Sequence, residues 1–222
     1  MDDQLAVIIG DVRGSRKMAQ DVRYEGQLYL KSAIIQINEK KTESIEAPFM
    51  ITRGDEFQGV LHDLKSAFEI MLEFERLLFP LQVRYGIGRG SIQKMGSKIP
   101  VEMDGPAFHR ASEALNYLKK RKQIIYCKTE NETGDLLLNT IFNLMSAIKG
   151  KWNLLTFNRY WKYKELGTLE KVALDEKVSP QAIWDSMHNM RVMEILEAEN
   201  NVLLYLAAQN LQQVPVLTAP EL

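Results

Sequence analysis

The sequence predicts an α/β (α+β) protein, with a mixed sheet and helices in the first part of the chain and helices alone in the second part. Strand-like and helical apolar patterns alternate up to about Thr129, and strand signals stop beyond it. The 222 residues exceed the usual size of one domain and are too few for three. We therefore expect two domains, spanning residues 1–129 and 130–222.

The first half has the element order strand, helix, strand, strand, helix, strand, followed by a further helix and strand. The predicted elements cover residues 5–9, 30–37, 49–52, 57–61, 64–78, 81–87, 106–120 and 123–127. The first strand is rich in β-branched residues and ends at Gly10, which is typical of a strand buried on both faces. A ferredoxin-like βαββαβ core of this kind implies a largely antiparallel sheet with helices packed on one face.

The second half is predicted to be all-helical. The helix candidates cover residues 136–148, 152–164, 169–175, 179–190 and 193–208, and we expect a loose tail after Gln209. A helix-turn-helix is expected at about residues 168–190, because Thr168 and Ser179 can cap two consecutive helices and Pro180 suits a first helical position. The second of these helices would present four side chains to a DNA groove: Gln181, Trp184, His188 and Asn189.

Two aspartates are candidate ligands for Mg²⁺. Asp11 follows the first buried strand, and Asp55 lies in the hairpin turn between the next two strands. A βαββαβ core would bring both residues to one end of the sheet, where two hard oxygen ligands could hold Mg²⁺ together with phosphate oxygens. The alternative stays open that Asp11 caps a helix and that Asp55 is an ordinary turn residue.

A polyphosphate would be expected beside these aspartates. Arginines in the loop after the first strand could offset its negative charge, and the loop glycines let backbone amides approach a ligand. His109 could contact a phosphate or a base, or act as a general acid or base; the alternative is a helix-capping histidine. The candidate nucleotide-binding residues are Arg13, Ser15, Arg16, Gly54, Glu56 and His109.

Several separated motifs resemble the SatD family. They are Asp11 with the following Gly14, the hairpin at residues 53–57, the glycine-rich segment 84–90 and the segment 103–111. The resemblance covers nearly the whole chain, and residues 1–129 are also similar in layout to nucleotidyl cyclase and GGDEF domains. In cyclases the two corresponding aspartates bind catalytic metals, so the resemblance implies a nucleotide-cyclase-like domain with Asp11 and Asp55 as metal ligands.

The resemblance to cyclases leaves catalysis open. The positions that hold a catalytic asparagine and arginine in class III cyclases fall, by spacing, on His109 and Glu113. A carboxylate would repel the developing phosphate charge, which disfavours cyclisation. Three functions follow as alternatives: a regulator that binds a nucleotide, a metal-dependent nucleotidyl or phosphoryl transferase, and a non-catalytic scaffold for DNA or protein.

Charge is unevenly divided between the halves. Residues 1–129 carry 20 basic and 17 acidic side chains, whereas residues 130–222 carry 8 basic and 12 acidic ones. The helix-turn-helix resembles those of sigma factors, yet an acidic segment binds DNA weakly. DNA contact and protein contact, including a homodimer, both remain open.

The strongest basic run of the chain lies at residues 119–122. It is typical of a solvated helix end, where cations complement the helix dipole.

The sequence also predicts the compartment. Cys127 is the single cysteine and cannot form an internal disulfide, which fits a reducing environment. The apolar run at residues 5–9 is too short for a signal peptide or a membrane span. We therefore expect a cytoplasmic protein.

Three glycines, Gly86, Gly88 and Gly90, lie at alternate positions of the strand predicted at residues 81–87 and just after it. We expect them to let this strand bend.

Overall fold

The computed structural model describes residues 4–93 and 98–210, and within these ranges the protein is a five-stranded sheet with interleaved helices, followed by a run of helices. The elements are β1 (Leu5–Val12), α1 (Gln20–Lys40), β2 (Ile45–Arg53), β3 (Glu56–Leu61), α2 (Leu64–Leu78), β4 (Val83–Gly90), α3 (Pro106–Lys119), β5 (Ile125–Lys128), α4 (Glu132–Lys149), α5 (Leu154–Leu166), α6 (Leu169–Glu176), α7 (Pro180–Asn189) and α8 (Val192–Asn210). The predicted α/β class is confirmed at this level. The predicted loose tail lies outside the described residues from position 211 onward.

Within the described parts of the chain, none of the helices has the length and apolar character needed to cross a membrane.

The sheet has the strand order β2-β3-β1-β4-β5. The central strand β1 is antiparallel to both of its neighbours, β3 and β4, and β5 pairs with β4 in the parallel direction. In this register Asp11 lies opposite Glu56 on β3 and opposite Arg84 on β4. The end of β1 is therefore flanked by a charged residue on each side.

Helices cover both faces of the sheet. Ala6 and Ile8 of β1 belong to the core formed with α1 and α2, whereas Leu5, Val7 and Ile9 pack in a second core with α3. The strand is buried on both faces, as its apolar run predicts. The expectation of helices on one face alone is wrong, because α3 covers the other face.

Glycines on β4 allow α3 to lie directly against the sheet. A Cβ atom at Gly88 would come within 2.2 Å of the carbonyl oxygen of Ala107, and one at Gly86 within 2.4 Å of that of Ala111. The pairing of β4 with β1 runs without a register shift from Val83 to Gly90. These glycines therefore make room for a helix, and the expectation that they bend the strand stays a prediction.

The helices after residue 129 pack on the α/β part. Phe142 of α4 stacks on Phe68 of α2, with ring centroids 5.5 Å apart. One continuous apolar core includes residues of both halves. The domain boundary near Thr129 stays a prediction, since the packing itself continues across it.

A buried ionic cluster also joins the two parts. Glu199 of α8 is only 2% exposed, and its carboxylate accepts hydrogen bonds from Tyr160 at 2.7 Å and Lys164 at 2.9 Å. The ammonium group of Lys149 lies 3.0 Å from Glu199 and 2.6 Å from Glu75 of α2. These five residues form the Glu199 cluster, which ties α2, α4, α5 and α8 together.

Glu199 and Lys149, the two most buried charged residues of the Glu199 cluster, both keep their charges. Burial alone would raise the pKa of Glu199, but Lys149 and Lys164 more than offset this effect and lower the pKa below its usual value. Burial likewise would lower the pKa of Lys149, but Glu75 and Glu199 raise it. Glu199 and Lys149 are therefore ionised at neutral pH.

Replacing Gly88 by alanine should destabilise the protein by about 1–3 kcal/mol, because the new methyl group overlaps the backbone of α3. The matched control is Gly26→Ala in α1, where a Cβ atom meets only a leucine side chain at 3.6 Å. That control should be neutral or stabilise by up to about 1 kcal/mol, through better helix propensity. Urea unfolding measures both, and equal stabilities of the two variants would contradict the close contact of α3 with β4.

Glu199→Gln should lower the free energy of unfolding by about 3–5 kcal/mol at pH 7, because it leaves the buried ammonium group of Lys149 without its full counter-charge. The Glu199 contribution is present above the unfolded glutamate pKa of about 4.3 and is lost as pH falls through the lower folded pKa. Urea unfolding at several pH values should show the two proteins converging in acid. The exposed Glu197→Gln is the control, and a constant difference at all pH values would refute the assignment.

Candidate functional site

Four charged side chains meet at the end of β1, on the face of the sheet that α3 covers. Asp11 comes from β1, Glu56 from β3, Arg84 from β4 and Lys119 from the last turn of α3. Directly opposed residues of antiparallel strands point to the same face, so the strand register brings Glu56 and Arg84 to either side of Asp11. We call these four residues the charged cluster.

Carboxylates and cations alternate in the charged cluster. Arg84 donates from Nη1 to Oδ2 of Asp11 over 2.9 Å. The Nζ atom of Lys119 lies 2.9 Å from Oε2 of Glu56 and 3.8 Å from Oδ1 of Asp11. The side chains of Asp11 and Arg84 are only 15% and 16% exposed. The cluster is thus partly shielded from water, which strengthens its ion pairs.

Arg84 has a donor that the described residues leave unused. Its Nε atom is buried, and it has no hydrogen-bond partner among the described residues. Buried donors are almost always paired in native proteins, with protein, water or a ligand. The charged cluster therefore has spare capacity to bind an oxygen atom.

Asp55 lies at the same end of the sheet as Asp11. The amide of Val12 donates to the carbonyl of Asp55 over 3.4 Å, which places the hairpin turn beside the end of β1. Asp55 lines a small gap near the start of α1, together with the buried Ser15 and with Arg23. Lys119 pairs with Asp11 and with Glu56, not with Asp55. Glu56 is one of the residues predicted to bind the nucleotide.

The hairpin turn and the loop after β1, which are predicted to hold phosphate, make contacts outside the charged cluster. Gly54 has a φ of 65°, so the hairpin turn needs glycine there. Arg13 donates to the side chain of Gln82 over 2.9 Å and thus lies beside the start of β4. Arg16 follows Ser15 in a short 3-10 turn, and its side chain lies outside the described residues.

His109 lies in the first turns of α3, far from the charged cluster. Ten residues separate it from Lys119, which corresponds to about 15 Å along the helix axis. Its side chain is 68% exposed, and Nε2 lies 3.4 Å from a carboxylate oxygen of Asp104. Glu113 pairs with Lys128. The structure therefore does not bring these two cyclase-like positions to the end of β1.

Two members of the charged cluster were missed from the sequence. Arg84 lies on a predicted strand, and Lys119 belongs to the basic run that was expected to be a solvated helix end. Alternation along β4 places Arg84 on the face opposite to Val83 and Tyr85, and this was the one signal available. Its pairing with Asp11 depends on strand order, which the local pattern does not contain.

The carboxylates present suit a metal ion that arrives with phosphate. No group of three or more His, Cys, Asp or Glu side chains that could hold a metal occurs in the described ranges. Mg²⁺ commonly takes one or two protein carboxylates and completes its shell with water and phosphate oxygens. Asp11 and Glu56, which share Lys119, meet that requirement but do not form a cage that would hold the ion alone. Asp55 lines its gap together with Val12, on the other face of the sheet.

The predicted helix-turn-helix consists of α6 and α7. Thr168 accepts a hydrogen bond from the amide of Lys171, and Ser179 accepts one from that of Ala182, so both predicted caps are confirmed. Lys177 turns the chain between the helices, with a left-handed φ of 57°. Buried side chains of both helices, Val172, Ala173, Ile183 and Met187, belong to the main core.

The four predicted DNA-contacting side chains, Gln181, Trp184, His188 and Asn189, are all exposed on α7. Trp184 and His188 stack with ring centroids 4.4 Å apart, and Gln181 donates to Asp185 over 2.9 Å. Residues 168–190 carry two lysines against four acidic residues. The exposed surface of α7 is thus aromatic and amide-rich, and its segment has no excess of positive charge.

Comparison with known proteins gives one family match, to the SatD family over residues 5–189. A search of curated proteins finds no match. Among solved structures, the chain is similar to the crystal structure of a regulator of polyketide synthase expression from Bifidobacterium adolescentis, with 12% sequence identity over 91% of this chain and 85% of that chain. Its TM-score of 0.27 is too low to support an argument. Since the family match covers most of the sequence, the chain belongs to the SatD family.

Proposed function

We propose that this protein is a regulator that binds a nucleoside polyphosphate with Mg²⁺ at the charged cluster, in a cyclase-like α/β domain. The observation that supports the proposal is the alternation of two carboxylates and two cations on one face at the end of β1. The Nε atom of Arg84, which has no partner in the part of the chain that the structure describes, adds a donor at the same place.

The charges of the cluster match those of such a ligand. Asp11 and Glu56 balance Arg84 and Lys119, so the cluster is neutral by itself. A Mg²⁺–triphosphate would supply a cation for the carboxylates and anionic oxygens for Arg84 and Lys119. Each internal ion pair could thus be exchanged for one with the ligand, so that none of the four side chains loses its counter-charge in a partly buried site.

Binding without cyclisation is favoured over a transferase reaction. Phosphoryl transfer requires donors directed at the charge that develops in the transition state. The position that carries an arginine in cyclases is Glu113, which pairs with Lys128 and lies away from the charged cluster. We therefore assign the site to nucleotide sensing.

We assign the output of this regulator to the exposed surface of α7. Its stacked pair of Trp184 and His188 provides flat apolar area of the kind that is enriched at protein interfaces. The acidic balance of residues 168–190 disfavours DNA, since phosphate neutralisation supplies most non-specific DNA affinity. The sequence leaves both DNA contact and protein contact open for this helix. We propose that α7 contacts a protein partner.

Lys119→Ala should weaken nucleotide binding about tenfold to a hundredfold, because it removes a charge-assisted hydrogen bond from a partly buried site. Isothermal titration calorimetry with ATP and GTP, with and without Mg²⁺, measures the effect. The neighbouring exposed Lys120→Ala is the matched control and should bind as the parent protein does. Absence of binding by every nucleotide, or equal losses in the two lysine variants, would overturn the proposal.

The same titration identifies the metal ligands. Asp11→Asn should abolish the dependence of nucleotide affinity on Mg²⁺, since a neutral amide is a much weaker ligand for the ion. Glu56→Gln and Asp55→Asn show which second carboxylate takes part. If Asp11→Asn retains the full Mg²⁺ dependence, the ion does not bind at the charged cluster.

The protein should bind random duplex DNA only weakly, with a dissociation constant above about 10 µM at physiological salt. Fluorescence anisotropy with a labelled duplex measures this, and Trp184→Ala should leave the result unchanged. Tighter, salt-dependent binding that Trp184→Ala or His188→Ala removes would instead assign α7 to DNA.

A further inference from the structure

A cleft of about 360 Å³ lies on the face of the sheet opposite to the charged cluster. Its walls are α2, the first residues of β4 and β5, the C-terminal part of α4 and Trp152. Volumes of about 300–1,000 Å³ are typical of small-molecule sites. The cleft is therefore large enough for a compact organic ligand, and its walls come from both halves of the chain.

Most of the cleft wall is apolar. The apolar side chains that line it include Met71, Phe79, Leu81, Val83, Ile125 and Trp152. The indole of Trp152 is fixed in place, because its Nε1 atom donates to the carbonyl of Met190 over 2.8 Å. Such a wall favours a ligand with an apolar, ring-sized body.

Two buried polar atoms on residues that line the cleft have no partner in the described structure. They are the hydroxyl of Tyr85 and Oε1 of Gln123. Tyr85 is 3% exposed, and burial, followed by the nearby Glu75, raises the pKa of its phenol well above the usual value. The hydroxyl thus stays protonated and can donate, while Gln123 can accept. Orphaned polar atoms of this kind are rare in native proteins.

The cations on the cleft wall are unequally neutralised. Lys149 is matched by Glu75 and Glu199. Among the described residues, the guanidinium of Arg13 donates only to the neutral side chain of Gln82, and Lys122 is exposed in the segment before β5. Arg13 and Lys122 both line the cleft at the end of the sheet where β1 ends and β5 begins. This end is therefore positively charged.

We infer that the cleft is a second ligand site, which takes a small amphipathic anion. The apolar body lies between α2 and α4, a polar edge accepts from Tyr85 and donates to Gln123, and an acid group lies at Arg13 and Lys122. Because the walls belong to both halves of the chain, this ligand stabilises their mutual packing. It is independent of a nucleotide at the charged cluster.

The probe for the apolar body is 8-anilinonaphthalene-1-sulfonate, which has aromatic rings, an N–H donor and an acid group. Its fluorescence should rise on binding to the whole protein. Ala147→Phe places a ring in the cleft from an exposed position of α4 and should weaken binding at least tenfold. Leu144→Phe is the matched control: position 144 is 60% exposed on the same helix and does not line the cleft. Equal binding by the two variants would overturn the site.

A second pair of variants tests the acid group. Lys122→Gln should weaken sulfonate binding about threefold, while Lys120→Gln, two residues earlier and outside the cleft wall, should leave it unchanged. N-phenyl-1-naphthylamine, which lacks the sulfonate, should bind more weakly and should not respond to Lys122→Gln. Equal affinities of the two lysine variants, or tighter binding of the neutral probe, would overturn the assignment. If circular dichroism shows that Ala147→Phe does not fold, the two lysine variants still test whether the anion binds in the cleft.

Discussion

The close approach of α3 to β4 is the constraint on which the rest of the α/β half depends. Two missing side chains, at Gly86 and Gly88, let the helix backbone touch the strand. This contact buries the second face of β1 and fixes the end of α3, from which Lys119 reaches Glu56. A helix held farther from the sheet would move that ammonium group away from its carboxylate, so the charged cluster depends on backbone packing.

Much of the fold could be predicted because its signals are local. Apolar periodicity located the strands and helices, and Thr168 and Ser179 correctly marked two helix starts through their capping side chains. The faces of the sheet were harder. The apolar residues on both sides of β1 indicate burial on both faces, but the glycines of β4 are as typical of a bend in the strand as of a close helix. Their role follows from a helix about twenty residues later in the chain.

The candidate site could be predicted only in part, for the same reason. Asp11 stands out because it ends a buried strand, whereas its partner Arg84 is 73 positions away and Lys119 is 63 positions from Glu56. Strand order creates these pairs, and no local pattern encodes it. The cleft is a stronger example. Tyr85 fits an ordinary core position in an alternating strand, and only the packing around it shows that its hydroxyl has no acceptor among residues 4–93 and 98–210.

The Glu199 cluster has a consequence for how the activities of this protein can be separated. Dividing the chain near Thr129 would part Glu75 from Lys149 and Phe68 from Phe142, and would expose apolar surface that α2 and α4 cover in each other. Fragments made in this way would tend to aggregate, and a lost activity would then report misfolding. The two halves are therefore best dissected by point substitutions in the intact chain.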